Sequence, residues 1–430
     1  MVVISPPPKR LRRSLAGRAR PEAWLFDWRR QSVGTVCVPS QPPGGRRQWP
    51  GEAGSTAFAG WRLALARFGD LLRGVLGGAL ATTSAVHGAV LPEDKAEAIF
   101  HVYDGGGVKA DGPAFLVRKS IADRVSLSAQ YYVDAVSNAS IDVVTTASPF
   151  REKRTAWDVS ADTVVRDSTL SLGFSKSTEP DYIAEGLSAD VSHEIFGGMT
   201  TVSLGFTRAK DLVGEKNTPG WIDTASHWQY RAGLTQILTP RWLMSANFEL
   251  VSDSGYLGSP YRAARVFGAT EPERNPRTRT SRAVKLRSIH DTGEWVARSS
   301  LRVEYRYYWD TWAIKAHTFE IGGSKYLGQS FLVDLSVRSY AQNKALFYSD
   351  NAEAVNQFNS RNRQLSTFRT TAVAAKLTYT LPAWRAGWGP KLTAVLERKQ
   401  FRFADFTDLR TGGLYSYNAN VVQVYVSSTF

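Results

Sequence analysis

One cysteine, Cys37, is present in 430 residues, and it lies in TVCVPS near the start. Beyond residue 60 the chain has none, so for that part disulfide scaffolds, cysteine zinc sites, c-type haem attachment and iron–sulfur clusters are excluded. No run of about 18 apolar residues occurs, and mean hydropathy is −0.26. Membrane-spanning helices are therefore excluded; a membrane β-barrel is not, because its strands carry only alternating apolar positions. The chain also lacks G-x-S-x-G, Walker A and G-x-G-x-x-G patterns. His193-Glu194 opens HEIFG, with no second histidine at zinc-helix spacing. The other histidines beyond residue 90 (His101, His227, His290 and His317) are scattered and read as wall or loop residues. GGGVKADG (105–112) joins two short strands and reads as a hairpin loop. Asp405 and Asp408 with Gly412 and Gly413 could touch calcium, but a solvated outer loop fits them better. No enzyme, cofactor or metal centre is expected.

The net charge of +14 is uneven. Residues 1–89 hold 13 Lys+Arg against 4 Asp+Glu, leaving only +5 for the rest. Residues 1–60 run PPPKRLRR, RRQ and QPPGGRRQ, which reads as a disordered or wrongly assigned upstream leader. A nucleic-acid partner is therefore not expected. Residues 61–89 read as a secretory signal peptide. Arg62, Arg67 and Arg73 make the basic region, Gly74 to Ala85 the apolar stretch, and Ala85 to Ala89 the cleavage region.

Residues 90–430 alternate. Leu127, Ala129 and Tyr131 interleave with Ser126, Ser128 and Gln130; Leu301, Val303, Tyr305, Tyr307 and Trp309 interleave with Arg302, Glu304, Arg306, Tyr308 and Asp310. A helix would put Glu304 on the stripe of Leu301 and Tyr305, whereas a two-residue period separates charge from apolar surface. The chain closes on NVVQVYVSSTF, with Val422, Val424, Val426 and Phe430 on one face and Ser428 where such strands often carry an aromatic. Short connectors (121–124, 165–168, 194–198, 238–241, 290–294, 326–329) take turns with long ones (135–153, 210–222, 253–278, 342–364, 402–413). YWDTW (308–312) is tighter than its class and PAWRAGWGP (382–390) longer. Together these features give an all-β fold: a transmembrane antiparallel up-and-down barrel of about sixteen strands, with short periplasmic turns and long extracellular loops. Fourteen strands remain if the first hairpin does not pair. A soluble β-sandwich also alternates, but a core lined with Arg, Glu and Gln would not suit it. Tyr131, Trp157, Trp228, Tyr230, Trp242, Tyr305, Tyr307, Trp309, Trp312 and Tyr379 fall near strand ends, as aromatic girdles would.

In lipid, Arg or Lys costs roughly 2–4 kcal/mol at the midplane, so the charged face must meet water or its own counter-charges. Candidate lumen residues are Arg231, Glu249, Arg302, Glu304, Arg306, Asp310, Asp334 and Arg338, with Arg124, Asp158, Asp162, Lys315, His317, Glu397 and Lys399 expected on the same face. The stretch 261–287 adds a basic loop: Arg262, Arg265, Arg274, Arg277, Arg279 and Arg282. It reads either as a loop folded into the mouth and favouring anions, or as a solvated loop against anionic headgroups.

The runs SGYLGSPYR (254–262), FGATEPERNPRTRTSR (267–282), SSLRVEYRYYWDTW (299–312) and NKALFYSDN (343–351) resemble a Gram-negative family known as domain of unknown function 3570. The resemblance extends from about Glu93 to Phe430 and implies an exported outer-membrane protein without assigned functional residues. It also implies a periplasmic, redox-linked partner. The expected role is a pore or transport component of the outer membrane. A non-conducting scaffold for periplasmic partners is the alternative, and an outer-membrane enzyme the third reading. Expected partners are outer-membrane lipid and lipopolysaccharide, the barrel assembly machinery and a periplasmic protein.

Overall fold

A computed structural model describes residues 89–430 apart from 139–149, 216–217, 219 and 383–387. The leader, the signal-peptide segment up to residue 88, and most of the PAWRAGWGP connector lie outside the described residues. The strands are β1 Lys95–Gly105, β2 Val108–Ile121, β3 Val125–Asn138, β4 Phe150–Val165, β5 Ser168–Glu179 and β6 Tyr182–Ile195. They continue with β7 Thr200–Gly214, β8 Ile222–Thr239, β9 Trp242–Gly255, β10 Ala263–Val266, β11 Ala269–Pro272 and β12 Thr278–Asp291. The last are β13 Ser299–Asp310, β14 Lys315–Leu327, β15 Phe331–Gln342, β16 Phe368–Thr380, β17 Gly389–Thr407 and β18 Leu414–Thr429.

Sixteen of these strands form one closed antiparallel barrel; β10 and β11 make a separate two-stranded hairpin. The first hairpin does pair. β1 and β2 are in register from Lys95↔Arg118 to Gly105↔Val108, and the turn between them needs only Gly106 and Gly107. Both have positive φ (61° and 78°), which glycine adopts without a Cβ clash. The expected loop at 105–112 is thus mostly strand.

Closure is made by β18 against β1, from Lys95↔Thr429 to Gly105↔Ala419. Asp94 secures the seam at the periplasmic edge. Its carbonyl accepts the Phe430 N–H at 3.2 Å. Its carboxylate accepts from Lys119 Nζ (2.5 Å) and from the Ser120 N–H (2.5 Å) and Oγ (2.7 Å). The hydrogen bonds from Lys119 and Ser120 hold the Asp94 carboxyl down at about 2. The Phe430 ring stacks on Trp388, centroids 5.6 Å apart.

The two-residue period sorts the wall. Phe100, Phe115, Val117, Leu127, Tyr131, Leu204, Leu335, Val373, Leu396 and Val424 point out and are exposed. Their neighbours of opposite parity point in: Ser126, Ser128, Gln130, Asp162, Glu249 and Arg306 are buried. An apolar outside and a polar inside is the sorting that lipid demands. Tyr131, Trp157, Tyr230, Trp242 and Tyr305 lie on the outer surface as expected, but Trp312 does not. It turns into the mouth and is 2% exposed.

Val424→Arg, in the middle of the apolar band, should cost about 2–4 kcal/mol of stability. The same change at Gln423, one residue away on the inner face, should cost less. Equilibrium chaotrope unfolding in lipid vesicles measures both.

Candidate lumen and extracellular cap

The inner wall has two regions. Toward the periplasm, inward side chains keep part of their surface open; Arg302, Arg338 and Lys376 are 32%, 37% and 40% accessible. Toward the long loops, the inward positions are packed.

Cross-strand register builds the open region. Glu304 and Glu320 are direct partners on β13 and β14, and Arg338 stands opposite Glu320 on β15. Glu320 takes Arg302 Nη2 and Arg338 Nε, each at 2.7 Å. Glu304 pairs ionically with Lys285 Nζ at 2.5 Å, Arg287 Nε at 3.1 Å and Arg302 Nε at 3.3 Å. Arg306 Nη2 lies 3.6 Å from Glu249, which also accepts from Gln229. Arg231 donates to Asp190 at 2.7 Å, and Lys376 reaches Asp334 at 3.8 Å. Arg118 donates to Asp162, and Lys399 and Glu397 lie 3.2 Å apart. Across β9 and β12 to β15 the arrangement joins five cations (Lys285, Arg287, Arg302, Arg306, Arg338) to three carboxylates (Glu249, Glu304, Glu320). Asp253, Asp310 and Asp334 also face inward on these strands, so the wall carries both signs. All eight candidate lumen residues lie on this inner surface, although Asp310 belongs to the packed region.

Three expected inward residues do not face inward. Lys315 and His317 share the outward parity of Phe319 and Ile321. His317 Nδ1 lies 2.7 Å from Tyr305 Oη, and its ring packs against Tyr307 (4.9 Å), so it joins the outer aromatic rim. Arg124 lies in the exposed turn before β3.

The packed region is a cap. Residues 256–277 and 343–367 fold into the mouth and meet there. Val266 bridges Ala352 and Arg274 bridges Asn359 between the loops, and Tyr348 bridges Ser360 within the second. Backbone hydrogen bonds join the two loops, including Phe267 N–H to Ala352 O (2.8 Å) and Asn359 N–H to Arg274 O (2.6 Å). An apolar cluster fills the space beneath, where Leu257, Ala345, Tyr348 and Leu365 of the loops pack on Tyr308, Trp312, Phe403 and Tyr415 of the wall. Small inward residues, Ala225, Ala283 and Ala316, leave room for it. Gln342 Nε2 anchors the second loop, donating to Gln364 O (2.7 Å) and Ser366 O (2.8 Å). Arg361 stacks on Phe406 at 4.4 Å and donates to Thr407 O at 2.6 Å.

Asp310 supports the cap from below. Its carboxylate accepts from Arg279 Nη2 (2.5 Å) and Nε (2.9 Å), Tyr308 Oη (2.7 Å), Trp312 N–H (2.9 Å) and Ile314 N–H (3.0 Å). Arg279 also lies over the Trp312 ring at 4.4 Å.

The six basic-loop candidates separate. Arg279 belongs to β12 and pairs with Asp310. Arg282 also belongs to β12 and faces outward beside Trp309, so its expected loop position is corrected. Arg277 chelates Asp223 (2.8 and 2.9 Å), and this raises its pKa. Arg274 lies 3.9 Å from Glu271. Arg265 bonds the Gly268 carbonyl in the β10–β11 hairpin. Arg262 is enclosed in the cap, where burial lowers its pKa to about 10 against the opposing pull of Glu273. Most of these charges hold the loops together. Asp408 likewise pairs with Arg410, which lowers its pKa. Among the described residues, no group of three or more His, Cys, Asp and Glu is placed to hold a metal ion.

Sequence reading offered the basic loop as one folded into the mouth, but missed the second loop, 343–367, and the apolar packing between them. The cap's apolar members (Tyr256, Leu257, Tyr348, Leu365) follow no fixed period; their only signal is large apolar residues inside long connectors.

A closed sixteen-strand barrel with an apolar outer band, a charged inner wall and long loops at one end is an outer-membrane β-barrel of the Gram-negative type. The chain belongs to the family described as "Protein of unknown function (DUF3570)", which matches residues 128–225 and 217–387. That match is shorter than the extent from Glu93 to Phe430 expected above. No curated protein matches the chain. Among solved structures it is similar to the siderophore receptor PirA from Pseudomonas aeruginosa, with 10% identity and a TM-score of 0.40. That likeness covers 74% of this chain and 60% of the receptor, so the chain spans less than two thirds of that protein. A bacterial polysaccharide outer membrane secretin is similar at 10% identity and TM-score 0.47, covering 78% of this chain and 98% of the other. OpdK from Pseudomonas aeruginosa, solved with vanillate, is similar at 10% identity and TM-score 0.40, covering 79% and 99%.

Asp310→Ala would leave the Arg279 guanidinium buried without its counter-charge, at a cost of about 3–5 kcal/mol. We expect limited proteolysis to cut within 343–367 in this variant while the barrel keeps its heat-dependent gel mobility. The pair Asp310→Leu with Arg279→Met should restore part of the protection, since the Trp312 and Ile314 N–H groups still lose their acceptor.

Proposed function

We propose that the protein is a transport component of the outer membrane: a conduit whose extracellular mouth is closed by a movable cap. The observation that carries this reading is the contrast inside the barrel. A charged, water-accessible wall on the periplasmic side ends at two loops that are joined to each other by non-covalent contacts alone: backbone hydrogen bonds, the Ser360–Glu273 and Gly268–Asn351 hydrogen bonds and a shared apolar cluster. Sixteen strands leave space for an aqueous channel, and a hydrated polar lumen has no stabilising role that an apolar filling would not serve better. Release of the cap opens the conduit. The chemistry is passage rather than reaction, and no cofactor is involved.

The second reading is a scaffold for periplasmic partners, favoured by the same opening of the inner wall toward the periplasm. In either case we propose that the chain reaches the outer membrane through the signal peptide at 61–89, is inserted by the assembly machinery that reads the Phe430 strand, and contacts outer-membrane lipid.

Planar-bilayer recording distinguishes the two readings. Replacing residues 344–366 by a short Gly-Ser linker should give frequent conductance steps where the intact protein stays mostly closed. Val266→Cys with Ala352→Cys should keep the oxidised protein shut until a reductant is added. Absence of steps from the linker variant at every voltage would overturn the conduit in favour of the scaffold. Export is checked separately: mass spectrometry of the membrane-bound protein should find an N-terminus between Ala85 and Ala89, and peptides from residues 1–60 there would refute it.

A further inference from the structure

On β5 to β8, charges on the outer surface are neutralised in place. Lys176 pairs with Glu185 at 2.7 Å, and Lys210 is the register partner of Glu185 from the other side. Arg208 lies on the Trp228 ring at 4.5 Å. The patch on β16 and β17 differs, because it sets two arginines directly against each other. Arg369 and Arg402 are direct register partners, both outward and exposed. Arg398 lies on the same face of β17, opposite Val373 on one side and Asn420 on the other. Their nearest outward neighbours in the ladder are Thr371, Gln400, Ser416 and Asn418, none of them acidic. The closest outward carboxylate in that ladder, Asp104 on β1, stands opposite Asn420 and is separated from Arg398 by the whole of β18. Like charges placed directly opposite on a sheet repel, so this arrangement calls for an anion from outside the chain.

Its height identifies the anion. Along β17 the outward series runs Leu392, Ala394, Leu396, then Arg398, Gln400, Arg402. Along β18, read from its periplasmic end, it runs Val426, Val424, Val422, then Asn420, Asn418, Ser416. The apolar band therefore stops at Leu396 and Val422, and the arginines begin within two residues of its extracellular edge. From the band outward the surface offers aliphatic side chains, then guanidinium groups, then amides and hydroxyls. An amphiphile with acyl chains, phosphate and sugar presents the complementary sequence of chemistry. Guanidinium forks bind phosphate oxygens in pairs, and amides and hydroxyls suit sugar hydroxyls.

We propose that Arg369, Arg398 and Arg402 form a binding site on the outer wall for the phosphorylated glycolipid of the outer leaflet, with lipid A phosphate as the group held between Arg369 and Arg402. The site is separate from the lumen and holds whether or not the barrel conducts.

The test uses the purified full-length barrel in detergent, with diphosphorylated lipid A as probe and native mass spectrometry as readout. The wild type should retain lipid A, and R369Q/R398Q/R402Q should bind it about tenfold more weakly, as loss of charge-assisted hydrogen bonds predicts. K210Q, on the opposite wall, should bind as the wild type does. Heat-dependent gel mobility verifies that each variant is folded. Dephosphorylated lipid A should bind the wild type as weakly as diphosphorylated lipid A binds the triple variant. Equal retention of diphosphorylated lipid A by the wild type and the folded triple variant would overturn the proposal. So would equal retention of both lipids by the wild type, or displacement of lipid A by inorganic phosphate at matched concentration.

Discussion

Everything in this structure follows from one constraint: a backbone that crosses hydrocarbon has no water to satisfy its N–H and C=O groups. A sheet meets that constraint only by having no edge. The β1–β18 ladder removes the edge, pairing eleven residues of β1 with the chain terminus. Asp94 then binds the seam from outside the ladder by holding Phe430 on one side and Lys119 and Ser120 on the other. An even number of strands brings both ends of the barrel to this same edge, where most of the short turns also lie.

Closure creates an interior, and the interior obeys a different rule. A barrel of sixteen strands is too wide for its own side chains to fill. The periplasmic half stays wet and carries charges in cross-strand pairs such as Glu320 with Arg302 and Arg338. The extracellular half is filled by chain from elsewhere, the loops 256–277 and 343–367. Where the loops pack, water is displaced, and any charge left there needs a full set of partners. Asp310, with five hydrogen bonds, and Arg279 beneath Trp312 satisfy that demand.

The alternation of Leu301 to Asp310 was sufficient to place Arg302, Glu304 and Arg306 inside, because parity and charge agreed. Lys315 and His317 were misplaced because they were read by charge alone. Phe319 and Ile321, two and four residues beyond His317, share its parity and already marked that face as outward. Arg282 fails in the same way, since Val284 and Leu286 share its side of β12. Trp312 was placed with the girdle because it is aromatic and near a strand end. It lies in the turn where Ala313 takes φ = 67°, and that turn carries the ring into the mouth. A two-residue period is reliable only inside a strand.

The sequence by itself determined the class of fold, the approximate limits of its strands and the sidedness of most of the wall. These depend on local quantities: a period of two, the turn chemistry of glycine and aspartate, and the cost of charge in lipid. Only the tertiary structure decided that the first hairpin closes the barrel, that two loops some 85 residues apart meet as a cap, and that Arg369 and Arg402 stand face to face. Each of these is a contact between distant segments, fixed by strand register and by the space the closed barrel leaves. The cap and the arginine pair are encoded in no window of neighbouring residues.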